Sequence, residues 1–265
     1  RRSSDLAVVY HLRRYNPNDI QLSRIDKDYI LGFLDYLKTA KQTHTKKEKL
    51  LHVNTQVYYY KMLRYCLNYA VSEELISANP MNKIKNEEKP HKHRTEREYL
   101  TIDELRKLAQ TPFYNGLLKK AFLFSCFCGL RHSDIIALTW GDIEMDDDGN
   151  SRLYIIQKKT KEAISLPLSQ EAIKQLPKRE DAKEDDIIFK KLITLGRTNE
   201  ILPKWAEQAG IKKHITFHTA RHTHATMLLT LGVDLYTVSK LLGHTNIQTT
   251  QIYAKLVDES KKKAI

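Results

Sequence analysis

The sequence predicts a mostly α-helical protein with a small antiparallel β-sheet, divided into two domains. Apolar residues recur at helical spacing over most of the chain, whereas residues 140–166 hold short apolar segments separated by polar turns. Residues 86–97 carry no apolar side chain, which is typical of a linker. We therefore expect a helical domain over residues 1–85 and an α+β domain over residues 98–265.

The charge of the chain points to a polyanionic partner. Lys and Arg number 44 against 32 Asp and Glu, so the net charge is +12. Residues 1–97 hold 19 basic and 11 acidic side chains, and thus +8 of this excess lies in the smaller part of the chain. Such an excess favours nucleic acid as the partner, with a solvated basic surface as the alternative.

Composition also excludes several classes of protein. With 41% hydrophobic residues the chain can bury a core, so it is not disordered. The longest apolar run, residues 121–130, is about half of a membrane span, and no apolar leader is present. The three cysteines do not indicate a disulfide framework. We expect a cytoplasmic protein with no membrane partner. Because the chain begins at Arg1 rather than Met, we expect it to be a piece of a longer one.

The N-terminal domain is expected to contain two well-defined helices. Residues 25–37 place four apolar side chains at helical spacing. Residues 54–74 form a tyrosine-rich helix, for which Asn54 or Thr55 would be the N-cap. We expect the aromatic side chains of this helix to pack mainly in the core.

The second domain is expected to begin with a helix that Thr101 and Glu104 open as a capping box. An apolar helix over residues 117–128 follows, and Gly129 ends it in a left-handed turn. Three strands should form the antiparallel sheet: residues 140–145, 153–157 and 163–166. Helices are expected for the rest of the domain: residues 170–176, 197–209, 217–231 and 235–242.

Three segments place unusual polar groups beside apolar helices. They are Gly129-Leu-Arg-His-Ser-Asp134, His218-Thr-Ala-Arg221-His-Thr-His-Ala-Thr226, and Leu242-Gly-His244, which Tyr253 follows nine residues later. His218 and Arg221 share one helix face and together can hold a phosphate. A zinc site on His218 and His222 is the alternative, but no further ligand stands at a suitable spacing.

Taken together, these segments resemble the tyrosine recombinase (phage integrase) family in their order and separation. The resemblance covers residues 99–260 and extends more loosely over residues 1–85, which look like the family's helical core-binding domain. Many family members carry an arm-binding domain before this region, and the start at Arg1 leads us to expect that the chain is truncated there. The resemblance implies a core-binding domain followed by an α+β catalytic domain.

By this resemblance, Tyr253 is the nucleophile that attacks a DNA phosphodiester and forms a 3′-phosphotyrosine. Arg131 and Arg221 match the arginines that clamp the non-bridging oxygens, where charge grows in the transition state. His218 matches the histidine that exchanges a proton with the tyrosine. His244 matches a position where the family hydrogen-bonds the phosphate. The resemblance implies no cofactor, metal or ATP.

The general acid is the least defined position. The family places this lysine in the turn between the second and third strands, where Lys159 before Thr160 is the best match. The glycine usual after that threonine is replaced by Lys161, so Lys158 and Lys161 stay open as alternatives.

The resemblance further implies double-stranded DNA attachment sites as substrate, a homotetramer on DNA and a Holliday junction intermediate. An accessory DNA-bending protein is a further possible partner. The segment after Tyr253 fits the part of the family that docks on a neighbouring protomer; a frayed terminal helix is the alternative. Lys46, Lys47, Lys61 and Arg64 are the candidate DNA contacts of the N-terminal domain.

Two other functions remain open at this point. A type IB topoisomerase would use similar Arg, Lys, His and Tyr chemistry but relax one duplex as a monomer. A non-catalytic DNA-binding module would not need Tyr253. The target sequence, and the choice among integration, excision, inversion and dimer resolution, are not specified by the sequence.

Overall fold

The structure, a computed structural model, describes residues 3–43, 49–93, 97–146 and 148–264. The chain forms two compact units, residues 1–95 and residues 96–265. In the described part of the chain, no helix is both long enough and apolar enough to cross a membrane.

The first unit is built from three α-helices: α1 (Ser3–Tyr15), α2 (Lys27–Thr39) and α3 (Val53–Ser72). Asp26 caps α2 by accepting a hydrogen bond from the Tyr29 amide. The N-cap of α3 is His52, whose Nδ1 accepts from the Asn54 amide at 3.1 Å. The expectation that Asn54 or Thr55 would cap this helix is therefore wrong, because the helix begins two to three residues earlier and the His52 imidazole satisfies one of its free amides.

The tyrosines of α3 divide between core and surface. Tyr59 and Tyr60 are buried, as expected, whereas Tyr65 and Tyr69 are 68% and 64% exposed. The expectation of a core position is wrong for the latter two. They lie four and eight residues after the exposed Lys61, so the three side chains share one helix face.

Part of the segment that the sequence marks as a linker contacts the first unit. Glu88 pairs with Lys27 at 2.8 Å. The His93 amide donates to Asn54 Oδ1 at 2.9 Å. These contacts hold residues 86–93 against α2 and α3.

The second unit has eight α-helices in its described residues. Thr101 and Glu104 form the expected capping box, and Gly129 adopts φ +69° after the apolar helix, as expected. The helices are α4 (Ile102–Gln110), α5 (Gly116–Cys128), α6 (His132–Ile135), α7 (Gln170–Ile173), α8 (Leu195–Gln208), α9 (Phe217–Thr230), α10 (Leu235–Leu241) and α11 (Gln248–Ala264).

The sheet is antiparallel with strand order β1 (Ile143–Met145), β2 (Ser151–Ile156) and β3 (Ala163–Pro167). The expected first strand is shortened, because Trp140–Asp142 forms a 3₁₀ turn instead. Asp142 accepts hydrogen bonds from the amide and hydroxyl of Thr139, which favours the turn over an extended chain.

The core of the second unit forms around α5 and α9, which pack against each other. Phe122 and Phe124 of α5 are fully buried, and Phe122 meets Phe217 of α9 edge to face. The last helix, α11, packs on α9 and α10. Since α9 carries His218 and Arg221, this packing places the helix that bears both residues between α5 and α11.

Candidate active site

Arg221 is fixed in the interior of the second unit. Its side chain is 1% exposed. Nη1 donates to the Gly129 carbonyl at 2.7 Å, and Nη2 donates to the Leu242 carbonyl. Burial first, and then the charge of Arg131, lower the pKa of Arg221 to about 10. The guanidinium thus remains charged at neutral pH and stands next to a second cation.

Arg131 is the N-cap residue of α6 and follows the left-handed turn at Gly129. Its Nη1 donates to Gln157 Oε1 at 2.5 Å. Asp134 Oδ2 lies 3.9 Å from the same nitrogen, beyond hydrogen-bond distance. Asp134 Oδ1 instead accepts from the Lys158 amide at 3.0 Å. Gln157 therefore holds the Arg131 guanidinium directly, while Asp134 anchors the β2–β3 turn.

Tyr253, on α11, is 1% exposed, and its hydroxyl oxygen lies 2.9 Å from His222 Nδ1. The positive charge of Arg97 lies close enough to lower the pKa of this hydroxyl. A protonated phenol can donate its hydrogen to Nδ1 of a neutral imidazole, which fits the contact with His222. Burial raises the pKa of Tyr253, and the charges of Arg221 and Arg97 oppose that rise. The phenol is therefore protonated in the free protein.

Three histidines surround this hydroxyl in their neutral form. The rings of His218 and His222 meet edge to face at 4.5 Å, and the ring of His244 stacks parallel to Tyr253 at 6.5 Å. His244 Nδ1 is fixed by Thr250 Oγ1 at 2.8 Å. Burial, reinforced by neighbouring cations, lowers the pKa of His218 and His244 to about 4 and that of His222 to about 3.

The lysines of the β2–β3 turn occupy different positions. Lys159 is exposed, and its charge contributes to the lowered pKa of His218. Lys161 has φ +61°, the left-handed conformation that favours glycine. This explains physically why glycine suits that position of the turn. The side chain of Lys158 is exposed while its amide is bound to Asp134.

The structure therefore gathers four of the other five candidate catalytic residues around Tyr253 and places Lys159 at the edge of the group. Of the candidate DNA contacts, Lys61 is exposed on α3, and Arg64 is half-buried with its Nη2 3.4 Å from Asn82 Oδ1. Lys46 and Lys47 lie outside the described residues.

Within the described ranges, the side chains do not form a metal-binding cluster. No three His, Cys, Asp or Glu side chains converge there in a way that would hold a metal ion. His222, the second member of the proposed zinc pair, uses Nδ1 to contact Tyr253. Arg221 would in addition repel a cation at this place.

The sequence motifs did not single out two residues of this site, Arg97 and Gln157, and they marked His222 only as part of the histidine-rich segment and of the zinc alternative. Gln157 directly follows β2 and is fully buried, and the local sequence carries no signal of this burial. His222 stands four residues after His218 and so on the same helix face. Arg97 precedes the capping box by four residues, where the sequence reads as a linker.

Comparison with known proteins agrees with this arrangement. The model of the phage integrase family matches residues 98–260, and that of the phage integrase SAM-like domain matches residues 2–89. A tyrosine recombinase of Pseudothermotoga lettingae is 30% identical over 255 residues, which cover 94% of this chain and 84% of the relative.

Two solved structures share the fold. A lambda integrase dimer bound to a COC′ core site has a TM-score of 0.73 at 22% identity, covering 94% of this chain and 86% of that one. A lambda integrase tetramer bound to a Holliday junction has a TM-score of 0.68 at 21% identity, covering 91% and 70%. The chain therefore belongs to the phage integrase family, whose members are tyrosine recombinases, enzymes that transfer DNA strands.

Proposed function

We propose that this protein cleaves and rejoins specific DNA sites through a 3′-phosphotyrosine formed on Tyr253, without metal or ATP. The observation that carries the proposal is the position of the Tyr253 hydroxyl. It is hydrogen-bonded to His222 and lies among Arg97, Arg131 and Arg221, which are all cationic. A phosphodiester is the anion that such a group of donors suits best.

In the first step, Tyr253 Oη attacks phosphorus, and the bond from phosphorus to the 5′-oxygen breaks. The phenol proton passes to the histidine pair His218–His222, entering at His222 Nδ1. Arg131 and Arg221 stabilise the charge that accumulates on the non-bridging oxygens. His244, which Thr250 orients, donates to the phosphate as well.

The leaving 5′-oxygen takes a proton from Lys159. The positive charge of Lys159 contributes to the lowered pKa of His218, so the ammonium group lies near the site. In the reverse step a 5′-hydroxyl attacks the phosphotyrosine and frees Tyr253. The tyrosyl phosphodiester conserves the energy of the broken bond, so rejoining consumes no nucleotide.

The proposal extends to DNA binding and to assembly of the protein on DNA. The first unit, with its basic excess and the exposed Lys61, contributes to binding of the duplex. Exchange between two duplexes involves four active sites, and hence a homotetramer that passes through a Holliday junction. The likeness to the DNA-bound lambda integrase assemblies supports this part of the proposal.

The test is capture of the covalent intermediate. A pool of nicked duplexes of randomised sequence is incubated with the protein in EDTA and enriched over successive rounds for adducts that survive SDS. We expect one preferred sequence, and no adduct with Tyr253→Phe. DNA binding without an adduct would contradict the proposal, and relaxation of unrelated supercoiled plasmid by monomers would indicate a topoisomerase.

A further inference from the structure

We propose that Gln157 is a positioning residue that aligns Arg131 with Arg221 and with the lysine turn, so that one side-chain amide sets the geometry of the phosphate site. The inference rests on the proposed function, because it assigns Arg131 and Arg221 to the phosphate. Gln157 stands at the end of β2 and is fully buried.

All polar atoms of the Gln157 side chain are engaged. Oε1 accepts from Arg131 Nη1 at 2.5 Å and from Thr160 Oγ1 at 2.8 Å. Nε2 donates to the Leu242 carbonyl at 3.0 Å. The orientation of the amide follows from its partners, since arginine can only donate and a carbonyl can only accept.

The Leu242 carbonyl links the Gln157 amide to Arg221, the second arginine. It accepts from Arg221 Nη2 as well as from Gln157 Nε2. A continuous chain of hydrogen bonds therefore runs from Arg131 through Gln157 and Leu242 to Arg221. Two like charges that would otherwise separate are held at one site by neutral groups between them.

Gly243, which follows Leu242, leaves room for the Gln157 side chain. A Cβ on Gly243 would lie 2.7 Å from Gln157 Oε1 and 2.9 Å from its Cδ, and Gly243 has φ +61°. Glycine thus supplies both the left-handed turn and the space into which the amide fits.

Few other side chains could replace this amide. A carboxylate at position 157 would neutralise Arg131 and present an oxygen to the Leu242 carbonyl. Asparagine is one methylene too short to reach both partners, and methionine has the length without the polar atoms. Gln157→Met therefore removes the hydrogen bonds while keeping the volume.

The test compares single-turnover cleavage of the selected site with a phosphodiester or a neutral methylphosphonate at the scissile position. We expect Gln157→Met to slow phosphodiester cleavage at least about tenfold, as loss of alignment does. The methylphosphonate carries less charge, so its cleavage should fall by a much smaller factor, as with Arg131→Ala. Gln208→Met, at an exposed glutamine of α8, is the matched control and should resemble wild type.

Equal losses on both substrates would mean that Gln157 only supports the fold, and wild-type rates would overturn the proposal outright. A second measurement needs neither cleavage nor a variant at position 157. In ¹H–¹⁵N spectra of the wild-type arginine side chains, the Arg131 Nη groups, assigned with Arg131→Lys, should show restricted rotation. Free rotation there would refute the contact, whereas absence of any adduct with wild type would refute only the proposed function.

Discussion

Of the three lysines in the β2–β3 turn, Lys161 alone has a positive φ. Lys161 holds a left-handed conformation that costs a non-glycine residue about 1–2 kcal/mol, so glycine is the natural residue there. Lys161→Gly should keep full cleavage activity and leave the free energy of unfolding unchanged or about 1 kcal/mol higher.

Lys159→Ala should slow cleavage by about 10²–10⁴, the usual contribution of a general acid. Replacing the 5′-bridging oxygen by sulfur should restore most of this loss, because a thiolate leaves without a proton. The rate of adduct formation on the two substrates measures both effects. If the sulfur substrate rescues Lys158→Ala or Lys161→Ala instead, the assignment of Lys159 is wrong.

His222 can be separated from His218 by two substitutions. His222→Phe removes the acceptor for the Tyr253 hydroxyl, while His222→Asn keeps an acceptor near the Nδ1 position that cannot take a proton. We expect both to lose about 10²-fold or more in cleavage rate, because the proton has to be accepted there. Wild-type rates with asparagine would show that His222 only orients the hydroxyl.

The acid limb of the pH–rate profile reports on the same histidines. In the free enzyme, burial holds the pKa of His218 at about 4 and that of His222 at about 3, so the midpoint of the acid limb of kcat/KM should lie between pH 3 and 4. A bound phosphodiester offsets the positive field and favours the protonated form, so the acid limb of kcat should lie at higher pH. Acid limbs of both parameters near pH 6.5 would contradict this field effect.

At the scale of elements, α3 presents the best-defined candidate DNA surface of the first unit. Lys61, Tyr65 and Tyr69 share its exposed face. Lys61→Ala should weaken DNA binding and reduce the slope of log Kd against log salt by about one phosphate contact. Lys38→Ala, on α2 and paired with Asp35 at 2.6 Å, is the control and should leave the slope unchanged.

How far the elements could be predicted depends on the range of the interactions that define them. Thr101 and Gly129 act on their own helix ends, so local sequence was sufficient. Gln157 meets a carbonyl 85 residues away, and no local pattern reveals that partner. The first strand was overestimated because the turn at Trp140–Asp142 depends on the side chain of Asp142 rather than on periodicity.

At the scale of the whole molecule, the neutral histidines make the second unit sensitive to acid. Burial lowers the pKa of His224 to about 4 from 6.5. Above pH 6.5 this histidine is neutral in both states. Between pH 6.5 and 4 only the unfolded chain binds the proton, so the free energy of unfolding falls by about 1.4 kcal/mol per pH unit for each such group.

Urea unfolding of the second unit should therefore show a steep loss of stability from pH 6.5 to 4. The loss should continue below pH 4, because the pKa of His222 is about 3 and the pKa values of Asp186 and Asp234 are lowered in the folded protein. His224→Leu, which has no titrating group, should reduce the slope by about one proton. An unchanged slope in this variant would mean that His224 is protonated in the folded protein.

The burial of Tyr253 should protect its phenol from chemical modification in the DNA-free protein. With its ring 1% exposed and its hydroxyl hydrogen-bonded, the phenol is shielded from iodinating, nitrating and sulfonylating reagents that reach surface tyrosines such as Tyr114, which is 77% exposed. Chemical labelling should thus modify Tyr114 long before Tyr253. The nucleophile proposed here is thus shielded in the DNA-free protein, and we expect Tyr253 to become reactive only when DNA is bound.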